Sequence, residues 1–268
     1  MHLTKIAKKT AGNAVYTGKI VIFAEINTND MNENYKKDMN KSTIKDILVR
    51  YGIATIGLLL VAIGVALSIK SDLGTAPISC PPYVASLIGG LTVGQYTILM
   101  HFFFILFQIV LLGKRFKMEN LMQIAAAFVF GFLTDASIWA LDWINVSSYL
   151  GKFSLLLLSC AITAAGISIE VRSKAWMLAG EMTVAALADV WYYPFRNVKI
   201  VFDFALVLLS AAASVIAFNR FLGTDDTVVI REGTFISAIL TGFLMRFFEP
   251  LTEKIFGKTL DSAGAKAE

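Results

Sequence analysis

The sequence predicts an all-α, polytopic membrane helical bundle: six transmembrane helices as two inverted three-helix repeats, each with a broken or re-entrant segment. Three observations predict it. The 268 residues are 56% hydrophobic and only 16% charged, with mean hydropathy +0.67, whereas a soluble chain averages about half apolar and a quarter charged. Six stretches qualify or nearly qualify as the roughly 20 apolar residues that a bilayer-crossing helix needs. Finally, the second half of the chain echoes the first. "GVALSIKS" from Gly64 aligns without gaps with "GISIEVRS" from Gly166, and "FGFLTD" at 130–135 lies over "TGFLMR" at 241–246.

Residues 1–49 are polar and lysine-rich, with Lys5, Lys8, Lys9, Lys19, Lys36, Lys37 and Lys41 and the low-complexity run "EINTNDMNENYKKDMNKS". Their apolar patch, "IVIFAEI", is too short to span or to form a signal-peptide core. They read as a disordered cytoplasmic tail, within which Met31 and Met39 are alternative translation starts. The membrane domain covers 50–251, with spans near 50–70, 94–113, 119–143, 152–171, 198–219 and 233–251. Repeat one is 50–143 and repeat two 152–251; residues 252–268 form a short C-terminal tail.

Basic residues orient the spans. Lys114, Arg115 and Lys117, then Arg172, Lys174, Arg196 and Lys199, then Arg246, Lys254 and Lys258 crowd one set of loops; the opposite set holds Lys70, Lys152, Arg220 and Arg231. By the positive-inside rule both termini are cytoplasmic. The net charge of +4 is small and scattered, so no nucleic-acid partner is implied and the lipid bilayer is the expected one. Cys80 and Cys160 lie in separate apolar segments with no metal-ligand spacing, so they are packing residues, and neither a metal nor a cofactor is expected.

Two connections, 71–93 and 173–197, are too apolar for solvated loops and too interrupted for spanning helices. Lipid-exposed irregular backbone leaves N–H and C=O groups unpaired at several kcal/mol each. Short re-entrant helices or amphipathic interfacial helices remain as the two alternatives. An odd number of spans per repeat inserts the second copy upside down, which places the first segment outside and the second inside. Inverted repeats with discontinuous helices at matching positions are a signature of secondary transporters, whose sites lie where the repeats meet. Pro77, Pro81 and Pro82 would keep a helix from running through, and Gly74 would let backbone approach closely.

The motifs "GVALSIKSDLGTAPIS", "FGFLTD", "LAGEM", "VKIVFD" and "VIREGT" together resemble the YczE/YyaS/YitT group of bacterial integral membrane proteins, most of all its YczE-like branch. The resemblance covers about residues 45–250. It implies a multi-pass protein of the bacterial cytoplasmic membrane whose family has no agreed biochemical activity.

Ionisable and polar groups at membrane depth are costly and mark candidate sites. The candidates for binding a solute or ion are Asp72, Gly74, Thr75 and Pro77 in the outer segment, Gly180 and Glu181 in the inner one, Asp135 in the third span and Asp203 in the fifth. Arg231 and Glu232, at the entry of the sixth, complete the set. Structural roles compete: helix capping for Asp72 and Glu181, a hydrogen bond to a neighbouring helix for Asp135, and an ion pair for Arg231 with Glu232. Thr97, His101 and Gln108 form one seam of the second span; Asp203, Ser210 and Ser214 form another on the fifth. With no HExxH, GxSxG or Walker motif, no enzyme is expected. The favoured expectation is a carrier for a small polar solute. A substrate-binding membrane subunit and a non-transporting regulatory or interaction protein are the alternatives, with a second copy or a partner subunit as further possible partners.

Overall fold

A computed structural model describes residues 44–173, 175, 177–193, 195–219 and 229–265. The tail through residue 43 with its two candidate starts, Lys174, Arg220 and residues 266–268 lie outside the described residues, as do the side chains of Arg196 and Lys258. Among the described residues there are eight α-helices and no strand: α1 Ile44–Ser71, α2 Cys80–Ile88, α3 Val93–Leu112, α4 Met122–Ala140, α5 Tyr149–Ser173, α6 Ala179–Trp191, α7 Phe195–Phe218 and α8 Glu232–Ala265. Six of them, α1, α3, α4, α5, α7 and α8, are long and apolar enough to cross a membrane. The chain is a helical membrane protein.

The expected spans are all present, with shifted ends. α1 begins at Ile44, several residues inside the expected tail, and α8 runs to Ala265, beyond the expected end near 251. Beyond Leu251 polar residues alternate with Ile255, Phe256 and Leu260, and an established helix propagates at low cost per residue, here past Pro250 and Gly257. The nine-residue α2 and the thirteen-residue α6 are too short to span at 1.5 Å per residue.

α1 and α5 form the centre. They run antiparallel: Asp72, just past the end of α1, pairs with Lys152 near the start of α5 at 2.6 Å. Small residues let the backbones touch, as membrane helix pairs require. A Cβ on Gly57 would stand 2.9 Å from both the Gly166 carbonyl oxygen and the Glu170 nitrogen. The crossing has a double character: Gly64 approaches Ser159 and Thr163, and Gly166 approaches Gly57 and Val61. Leu58, Val61, Ala62 and Val65 of α1 close this core with Phe130 of α4 and Leu178, the residue before α6.

Around that pair, α1 packs on α4 and α5 on α8, while α2 packs on α7 and α6 on α3. α3 and α4 pack closely, with Gly94 against Gly131. Among the described residues α7 and α8 have no comparable interface.

Candidate functional site

The outer interrupted segment is a lock. Past α1 the chain turns through Asp72 at φ +52° and Gly74 at φ +104°, a left-handed conformation that glycine adopts without penalty. The turn is stitched to the entry of α8 by backbone bonds: Thr75 N–H donates to the Val229 carbonyl at 3.1 Å, and Gly233 N–H to the Leu73 carbonyl at 2.8 Å. Arg231 Nη1 donates to the Asp72 carbonyl at 3.2 Å and its Nη2 to Glu232 Oε1 at 2.9 Å. Pro77 opens a 3₁₀ turn, Pro77–Ser79, and Pro81 and Pro82 occupy the first turn of α2, where a missing N–H costs nothing. The prolines therefore start a short helix as well as stop a long one. Thr75 Oγ1 lies 3.3 Å from the Cys80 sulfur, and both side chains are fully buried.

Asp135 reaches from α4 to the start of α3. Its Oδ1 accepts the Gly94 N–H at 2.7 Å and its Oδ2 accepts the Thr92 hydroxyl. Thr92 and Gln95 already form a capping box there, so Asp135 adds a third acceptor to exposed helix-end donors. This is the hydrogen-bonding role toward a neighbouring helix, at the downstream end of the outer interrupted segment.

The inner interrupted segment is held by side chains. Gln108 Nε2 of α3 donates to the Ala179 carbonyl and to Thr183 Oγ1, both at 3.0 Å, and it exchanges reciprocal amide bonds of 3.1 Å with Gln123 of α4. All three side chains are buried. Leu178 is the N-cap of α6 and Glu181 lies in its first turn. In a capping box the acid at this third position reaches back to the N-cap N–H. Here another carboxylate has taken that donor: Leu178 N–H donates to Glu170 Oε1 of α5 at 3.1 Å. Glu181 Oε2 is left closed off from solvent with no hydrogen-bond partner among the described residues.

The two interrupted segments meet. A Cβ on Gly180 would collide with Ile78 of the outer segment and approach Phe104 of α3 at 3.7 Å. Phe104 packs on Phe202 of α7 at 5.4 Å and lies 6.2 Å from His101, which stacks on Phe130. Next on α7 stands Asp203, paired with Lys199 at 2.7 Å. Asp203 and Lys199 both act electrostatically on Glu181, whose carboxyl burial pushes above its ordinary range. Asp203 also acts on Cys80, whose thiol burial pushes up to about 11.

Of the residues singled out in the sequence, Gly180 and Glu181 lie together in the first turn of α6, where Gly180 meets Ile78, the residue after Pro77; Thr75 packs on Cys80, and Asp203 pairs with Lys199 within α7. Asp72, Gly74, Arg231 and Glu232 gather in the outer lock, and Asp135 stands apart. The reading missed Glu170, a glutamate in the fourth span that its own membrane depth should have marked. It also missed Lys199, taken only as an orientation signal, and the amides of Gln108 and Gln123 as clamps on α6. Among the described residues no three His, Cys, Asp or Glu side chains gather as a metal site.

No solved structure matches this chain. It is 24% identical over 214 residues to the uncharacterized protein YyaS of Bacillus subtilis (strain 168), an alignment covering 78% of this chain and 96% of that protein. The similarity meets the expectation drawn from the sequence motifs on the YyaS side of the group. With its family model matched over residues 48–250, the chain belongs to the family of unknown function DUF6198.

Proposed function

We propose that this chain is a carrier for a small polar solute, working by alternating access between two inverted repeats. It would sit in the bacterial cytoplasmic membrane with both termini in the cytoplasm. The observation that carries the reading is the meeting of Gly180 with Ile78 beside a buried, unpartnered carboxylate oxygen on Glu181. Carrier sites form where interrupted helices of two repeats converge.

Related pairs of contacts support the repeat. In the alignment of Gly64 with Gly166, Lys70 stands over Arg172; extending that of Phe130 with Thr241, Asp142 stands over Glu253. Both couples are ion pairs at 2.6 Å, Lys70 with Asp142 and Arg172 with Glu253. Ser71 Oγ donates to the Ser68 carbonyl and accepts the Leu73 N–H; its counterpart Ser173 donates to the Glu170 carbonyl and accepts the Ala175 N–H. A re-entrant path for the inner segment is supported by α6 starting beside Phe104, halfway along α3, and having its late residue Asp189 paired with Arg115 just past the end of α3.

Vesicles reconstituted with the purified chain and offered a panel of labelled polar solutes test the reading. Uptake that Glu181→Gln abolishes, with the folded yield unchanged, is expected; uptake unaffected by that change removes Glu181 from the mechanism. Single cysteines at Gly90 and Tyr192, both exposed near the ends of α2 and α6, should react with an impermeant maleimide from opposite faces of the membrane. Labelling from one face ends the inverted arrangement.

A further inference from the structure

Resting on that carrier reading, we infer that the contact between residues 72–75 and 229–234 is the carrier's outer gate, a latch that parts to admit water to the buried face of α2. The latch has three layers. At the rim are charges: Lys152 pairs with Asp72 at 2.6 Å and Arg231 with Glu232 at 2.9 Å, and the Tyr149 hydroxyl donates to Glu232 at 3.5 Å. Main chain forms the second layer, through the bonds of Thr75 to Val229 and of Gly233 to Leu73, joined by Arg231 on the Asp72 carbonyl. The third is apolar. Val229 and Ile230 are buried in one cluster with Cys80, Tyr83 and Val84 of α2 and Val207 of α7.

Each layer suits a contact that opens and closes. The rim pairs are partly exposed, so water replaces either partner with little loss. Separated N–H and C=O groups can be taken up by water at an end of the molecule that water reaches, whereas in lipid they would have no substitute. The apolar layer opposes opening and makes the closed form the resting one. The α8 half of the latch is also the less tethered. α8 packs on α5, but among the described residues it lacks the flanking contact that α4 has with α3, where Gly94 meets Gly131 and Asp135 holds Thr92 and Gly94. Closure depends on two glycines. A Cβ on Gly74 would meet Thr234 Oγ1 and the Arg231 nitrogen, and one on Gly233 would meet the Leu73 carbonyl and Leu156. Gly74 sits at φ +104°, so a side chain there also strains the turn. Gly233 lies in the first turn of α8, where alanine suits the helix and acts only as a wedge in the latch.

The native Cys80 thiol, fully buried with Val229 and Ile230, reports the opening. The full-length chain carrying Cys160→Ala, in sealed right-side-out membrane vesicles, is treated with a small impermeant methanethiosulfonate, and modification of Cys80 is followed by mass spectrometry. With the latch intact Cys80 should react slowly, and from the outside. Gly233→Ala should speed the reaction by about tenfold or more, since labelling tracks the open population, and Lys152→Gln should speed it less; size-exclusion profile and tryptophan fluorescence stay native in both. Thr234→Cys places a second thiol where the Thr234 hydroxyl acts on Cys80. Oxidising the two thiols to a disulfide with copper phenanthroline should stop vesicle uptake, and a reductant should restore it. Cys80 labelling that neither variant speeds, or that comes only from the cytoplasmic face, overturns the gate. Faster labelling in the variants with no uptake of any solute by the unsubstituted chain upholds the opening latch and removes the carrier reading. Uptake that continues through the disulfide does the reverse.

Discussion

The two interrupted segments obey the same local rule and are held in opposite ways. Each follows a helix ending in a serine that caps its own last turn, and each leads into a short helix. The outer one is fastened by main chain: two backbone hydrogen bonds and a guanidinium-to-carbonyl bond tie Asp72, Leu73 and Thr75 to residues 229–233. The inner one is fastened by side chains, Glu170 on Leu178 and Gln108 on Ala179 and Thr183. Backbone stitching satisfies both partners and leaves nothing over. Borrowing a carboxylate from α5 to cap α6 displaces the acid that α6 carries for the purpose, and the surplus is Glu181. The outer segment therefore spends its polar groups on fastening, while the inner one keeps a carboxylate oxygen over.

The largest expected effect falls on what both segments share. Gly57→Leu or Gly166→Leu drives a side chain into backbone at the α1–α5 crossing and should abolish the folded, monodisperse protein in size-exclusion chromatography. A normal yield would show that the halves are not held through this contact.

Next comes the capping exchange. Glu170→Ala leaves the Leu178 N–H without an acceptor and should lower unfolding stability by about 2 kcal/mol. Glu181→Gln should cost nothing and be more stabilising as the pH rises. The sign follows from linkage: a folded carboxyl whose pKa is raised by burial holds its proton to higher pH than the unfolded one, so its favourable contribution fades as pH climbs above the ordinary carboxylate range. Thermal melts of wild type and Glu181→Gln should separate progressively over the pH range above the ordinary carboxylate value. Equal separation across that range would place Glu181 in a well-solvated setting and blur the contrast between the segments.

A smaller effect sharpens the same contrast. Gln108→Leu strips α6 of its side-chain clamp and leaves Gln123 unpaired, at about 1 kcal/mol by the measure of interhelical hydrogen bonds in membranes. It should loosen α6 specifically, read as faster hydrogen exchange over 179–191 with α2 unchanged.

The smallest effect concerns the two matching ion pairs. Reversing Arg172 and Glu253 together, or Lys70 and Asp142 together, should restore whatever the single reversals lose, a few tenths of a kcal/mol for pairs in which one partner is exposed. Double-mutant cycles of similar size would bind the two halves more closely; a large coupling at one end alone would separate them.

Composition and run length made the helices legible. A stretch such as Leu58–Leu67 has no other place than the bilayer or a protein core, and Gly74 and the prolines announced where regular helix had to stop. The Arg231–Glu232 pair and the hydrogen-bonding alternative for Asp135 were also readable, because each joins groups that burial or charge compels to find partners. Glu170 stood out by its depth in the fourth span, but its partner did not. The residue sits in a run that the alignment used for its glycine, arginine and serine, and nothing local tells that its carboxylate ends beside the N–H of a residue eight positions on.

Fold class, the six long helices and the two interruptions follow from periods and run lengths along the chain, because the cost of burying bare backbone and charge in lipid is paid residue by residue. Which acid caps and which is left over depends on how α5, α6 and α7 stand against one another. That choice is made by three-dimensional competition for a single N–H donor, and a one-dimensional pattern carries no record of who wins it.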